Sequence, residues 1–99
     1  MSDRATVDDA VLLARVPRLG GGFRLQWEPV QDCHVLLYPE GMVKLNRSAG
    51  EILTRCDGTR PLRDIVVELE LAFGASGLTS EVLSFVRIAE QQRWLGWSS

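Results

Sequence analysis

The sequence predicts an α+β fold, a three-stranded antiparallel sheet followed by three helices. Three observations carry this. From Phe23 to Glu28 apolar side chains alternate with polar ones, the period of a half-buried strand, and two further short strand-like runs follow by residue 45. After Asn46 they recur at i, i+3 and i+4, the period of an amphipathic helix. Turn and cap residues stand where one pattern gives way to the next, as at Pro39 to Gly41, Asp57-Gly58 and Gly74.

Residues 1–22 read as an N-terminal arm, disordered or a short helix. Thr6 suits an N-cap, with Asp8 and Asp9 in the first turn and Val7, Val11 and Ala14 on one side. Pro17 would stop this helix, and Gly20-Gly21-Gly22 reads as a flexible hinge. The folded domain then spans residues 23–99. Its first strand is residues 23–28, where Phe23, Leu25 and Trp27 alternate with Arg24, Gln26 and Glu28. The second is residues 33–38, with Val35 and Leu37 on one face and His34, Leu36 and Tyr38 on the other. Tyr38-Pro39-Glu40-Gly41 is a turn, with Pro39 fixing φ at its first corner and Gly41 free to take positive φ. Met42, Val43, Lys44 and Leu45 form the third strand of this meander.

Asn46 or Ser48 caps the first predicted helix, whose stripe is Ala49, Ile52, Leu53 and Cys56 and whose end is Asp57-Gly58. Thr59 opens the second, with Pro61 in its first turn. Leu62, Ile65, Val66, Leu69 and Phe73 make its apolar stripe, and Gly74 ends it. Thr79 or Ser80 caps the third, which carries Val82, Phe85, Val86 and Ala89 and runs to about Trp94. Two helices joined by a glycine-containing turn, beside a hairpin, give a winged-helix-like arrangement with the Pro39-Gly41 turn as the wing.

Composition narrows the function classes. Eleven Lys and Arg against thirteen Asp and Glu leave a net charge of -2, without the basic field that nucleic-acid binding needs. The predicted third helix offers Arg87, Gln91, Gln92 and Arg93, but Glu81 and Glu90 offset them, and the wing carries only Lys44. A winged-helix DNA-binding protein is therefore the secondary reading. No apolar run is long enough to cross a membrane and no signal-peptide core precedes the domain, which points to a cytoplasmic protein with reduced thiols. Cys33 and Cys56 lack metal-ligand spacing. Cys33 and His34, adjacent on a strand, point to opposite faces and cannot act as nucleophile and base. Nothing in the pattern supports catalysis or a bound cofactor, so the chain reads as a binding module.

The third strand is the last of the meander, so one side of its backbone is open to an added peptide strand. The expected site is Met42, Val43, Lys44 and Leu45 along the edge, with Leu83 and Val86 walling a groove and Arg87 at its rim. The hinge and the open edges also suggest a homodimer by strand exchange, with Phe23, Leu25 and Trp27 moved onto a neighbour's sheet.

The ordered series Leu36-Leu37-Tyr38-Pro39-Glu40-Gly41, Leu45-Asn46, Ile52-Leu53 and Cys56-Asp57-Gly58, closed by Trp94-Leu95-Gly96-Trp97, resembles the PqqD family over residues 17–99. The first 16 residues show no family motif, and Pro61 departs from an ordinary helix opener. The resemblance implies a winged-helix-like peptide-recognition domain over residues 23–99. Such a chaperone binds the ribosomal precursor peptide PqqA and presents it to the radical S-adenosylmethionine enzyme PqqE, which cross-links a Glu to a Tyr during pyrroloquinoline quinone biosynthesis. Iron–sulfur clusters and chemistry belong to the enzyme. The resemblance also implies a peptide held against the third strand and third helix.

Overall fold

The computed structural model describes residues 2–98, with side chains from Asp8 to Ser98. In chain order the elements are α1 (Ser2–Ala14), β1 (Pro17–Leu19), β2 (Arg24–Glu28), β3 (Cys33–Tyr38), β4 (Gly41–Lys44), α2 (Arg47–Thr54), α3 (Leu62–Phe73), α4 (Thr79–Gln91) and β5 (Leu95–Trp97). The α+β fold holds, with the expected meander and the three helices after it. The sequence pattern missed β1 and β5, each too short to display a period, and α1 is longer than the helix expected from Thr6.

β2, β3 and β4 form an antiparallel sheet in that order. Arg24 pairs with Leu37 and Glu28 with Cys33, while Val35 pairs with Lys44 and Tyr38 with Gly41. Pro39 and Glu40 are thus a two-residue turn. Gly41 does not take positive φ as expected; it lies in β4, and a Cβ there would stand 3.4 Å from the Tyr38 Oη. One face of the sheet carries Leu25, Leu36, Val43 and Leu45 into the core.

Asn46 caps α2, its side chain accepting a hydrogen bond from the Ala49 N–H at 2.8 Å. Pro61, not Thr59, is the N-cap of α3; the Thr59 hydroxyl instead donates to Asp57. Gly74 ends α3 in the left-handed conformation. α4 begins at Thr79 after Leu78, whose N–H donates to the Glu70 carboxylate at 2.9 Å. It stops at Gln91, short of the expected Trp94, because Arg93 turns left-handed and the chain re-enters a strand. The core is the joint product of these stripes: Leu36, Ile52, Leu53, Leu62, Ile65, Leu69, Val86 and Leu95 are all buried.

The two ends of the chain are laced together. β1 pairs antiparallel with β5, Pro17 opposite Trp97 and Leu19 opposite Leu95. Around this pair, the Ser98 N–H donates to the Val16 carbonyl, Gly58 to Pro17 and Leu62 to Arg15, all at 2.7–2.9 Å. Leu12 of α1 is buried in the same core. Gly20 departs from the expected loose hinge. It is buried, its N–H donates to the Trp94 carbonyl at 2.7 Å, and a Cβ would overlap the Arg93 carbonyl oxygen. Gly21 and Gly22 are exposed, with open space around them.

Candidate peptide-binding edge

Strand order leaves the outer side of β4 unpaired. Its hydrogen-bond phase follows from one contact. The Leu45 N–H donates to the His34 carbonyl at 3.0 Å, which makes Leu45 and His34 a hydrogen-bonded pair. Bonding alternates along an antiparallel ladder, so Val43 also bonds inward, while the N–H and C=O of Met42 and Lys44 point away from the sheet. Those are the groups an added strand would meet. Met42 is 55% exposed, Lys44 is exposed and Val43 is half-buried against the core. Among the described residues Lys44 has no ion-pair partner, so its charge is available to a ligand.

The other expected site residues lie elsewhere. Leu45 is 4% exposed, Leu83 3% and Val86 0%, all within the core cluster. They support the sheet and α4 from beneath and offer a ligand no surface. Arg87 is exposed but bonded to Asp9 at 2.7 Å, under the flank of α4 that α1 covers. Phe85 lies on the opposite flank of α4, half-buried beside Trp94 at 6.4 Å between ring centroids. Like Val43, it packs on the edge of the core. The periodicity had placed Phe85 on the apolar stripe, but a stripe does not say which of its members stays partly open.

Electrostatics elsewhere is structural. Arg55 bonds Glu51 at 2.8 Å and Glu68 at 2.7 Å, and Arg60 closes on the other oxygen of Glu68. The bonds from Arg60 and then Arg55 hold the Glu68 carboxyl below its ordinary range. Burial, with the Asp57 charge adding to it, pushes the Cys56 thiol up to about 12. His34 is packed between Trp27, 5.0 Å away edge to face, and Gly50 of α2. Among the described residues no cluster of His, Cys, Asp or Glu is placed to hold a metal ion, and no helix is long and apolar enough to cross a membrane.

An open edge in a small sheet backed by helices is a frame for strand addition, and comparison with known proteins shows to which family the chain belongs. The family model described as "Coenzyme PQQ synthesis protein D (PqqD)" matches residues 33–95. The chain belongs to the PqqD family. A PqqA binding protein of Stutzerimonas stutzeri is 46% identical over 86 residues, covering 86% of this chain and 94% of that protein. One from Pseudomonas aeruginosa is 54% identical over 84 residues, covering 84% and 91%. The solution structure of the PqqD truncation of Methylobacterium extorquens PqqCD, described as a functional stand-alone recognition element for ribosomally synthesized, post-translationally modified peptides, aligns with a TM-score of 0.69. It is 31% identical and covers 82% of this chain and 88% of that one. The PqqD match begins at Cys33, so it takes in β3, β4 and all three helices after them, the elements that frame the open edge.

Proposed function

We propose that this PqqD chain is a non-catalytic chaperone that binds the precursor peptide PqqA as an added strand on β4 and presents it to PqqE. The observation that carries the reading is the unpaired outer side of β4, with the backbone of Met42 and Lys44 turned outward, in a chain whose relatives are named PqqA binding proteins. Met42, Val43 and Lys44 are the contact residues. Leu45, Leu83 and Val86 act by holding the edge in place, and Arg87 becomes a contact only by leaving Asp9. The chain works in the cytoplasm. DNA binding gains no support: the one exposed α4 cation facing α1 is neutralised, and the relatives are named for a peptide.

Lys44→Pro tests the reading. The Lys44 N–H faces outward, so proline removes no bond of the β3–β4 ladder. The variant is expected to keep the parent's circular dichroism. It should lose at least tenfold in PqqA affinity, about 1.4 kcal/mol, as the ring blocks the incoming strand. Parent-like affinity in a folded variant overturns strand addition at β4. Presentation is tested by PqqE turnover of PqqA, which should require this chain and fall with the same substitution. A homodimer by strand exchange would pivot at the exposed Gly21 and Gly22, since Gly20 is locked to Trp94. Sedimentation up to millimolar protein tests it, and a single monomer mass throughout excludes it.

A further inference from the structure

An apolar cavity of about 180 Å³ opens among α2, α3 and α4, away from the backbone edge itself. Ile52, Leu69, Phe73, Leu78 and Val82 line it. Its floor is core, and Phe73, 41% exposed, stands at its side with the Arg47 guanidinium over the ring, 5.2 Å from the centroid. Apolar cavities of roughly 150 Å³ accept benzene in preference to water, so this one suits a single aliphatic or aromatic side chain.

The rim says what should accompany that side chain. Glu51 and Glu81 stand at the mouth. Glu51 is bonded to Arg55. Glu81 is exposed and has no ion-pair partner among the described residues. A cation arriving beside the apolar group would find an unneutralised carboxylate. A second copy of this chain is a poor occupant, because symmetric pairing would bring the two unpaired Glu81 carboxylates together.

Position links the cavity to the strand edge. Ser48 lies at the mouth, only four residues after Lys44, where β4 ends. A strand paired with β4 therefore finishes within a few extended residues of the cavity. We infer that the cavity anchors one aliphatic or aromatic side chain of the peptide bound along β4, with a neighbouring Lys or Arg of that peptide facing Glu81. This rests on the strand-addition reading and names a second, separate contact for the same ligand.

The test is a titration of the isotope-labelled full chain with PqqA precursor peptide, following Met42 and Lys44 amides together with Ile52, Leu78 and Val82 methyls. All should shift with one midpoint. Ala75→Trp, at the exposed mouth, should raise Kd at least tenfold by filling the cavity. Glu81→Arg should raise it about three- to tenfold, and Glu81→Gln less. Both Glu81 substitutions lie at an exposed position, so they carry the test even if Ala75→Trp misfolds. If the β4 amides shift while the cavity methyls stay still and the Glu81 variants bind as the parent does, the anchor is overturned and strand addition stands. If the cavity methyls shift but the β4 amides do not, and Lys44→Pro binds normally, strand addition fails and the anchor fails in this form with it.

Discussion

Lys44 and Arg87 carry the same charge in opposite circumstances, one without an ion-pair partner on an open edge and the other tied to Asp9 of α1. At this scale, a residue's chemistry is decided by what touches it. The two cysteines show the same contrast. Cys56 is buried, its thiol donating to the Ile52 carbonyl at 3.2 Å, whereas Cys33 is half-buried on the sheet. Thiol titration of the native chain should therefore label Cys33 first, and Cys56 only on unfolding. Glu68 gives a pH signature. Its folded pKa lies below its unfolded one, so its two arginine bonds stabilise the protein above the unfolded value. That contribution disappears as pH falls through the folded value. Urea midpoints of Glu68→Gln should be lower than the parent's at neutral pH and converge with them at the acid end of the carboxylate range. Curves that stay parallel at every pH would show that the bonds contribute nothing.

Among the elements, α4 shows best where periodicity succeeds and where it stops. Val82, Phe85, Val86 and Ala89 mark its inner stripe in the sequence, and the structure buries three of them. Leu83 was expected at a groove wall, yet it too is buried, as part of the core cluster that gathers residues from α1, the sheet, the other helices and β5. Leu83→Ala should consequently cost about 2–5 kcal/mol of stability. The folded fraction should retain near-parent affinity for PqqA. Chemical denaturation and a peptide titration check the two halves, and a large affinity loss without destabilisation would return Leu83 to the groove. For β4, the turn at Pro39 and the alternation that follows gave the edge strand, while the outward phase of Lys44 needed the Leu45–His34 bond.

The whole molecule is closed by its ends. β1 and β5 are separated by most of the chain and have three residues each, so neither carries a local signature. Gly20 is the tightest point of that closure, pressed against the Arg93–Trp94 backbone. Gly20→Ala should lower stability by about 1–3 kcal/mol, since a carbonyl, unlike a flexible side chain, cannot swing aside. Gly21→Ala, in open space, should change little. Thermal melts of the two variants separate a packed glycine from a hinge, and equal melting temperatures would restore the hinge.

The sequence by itself determined the order of the meander and the three helices that follow it, because their periods, caps and turns act over a few neighbouring residues. Asn46, Gly74 and the Tyr38-Pro39-Glu40-Gly41 turn did this work locally. It also determined that the last strand of the meander has an open side. Only the tertiary structure decided which apolar residues remain open, where Lys44 aims its N–H, and that the first 22 residues include a core leucine and a strand. Those outcomes depend on elements distant in sequence meeting in space. An apolar stripe says that a face will be covered, but the covering element is named only when the chain has closed on itself.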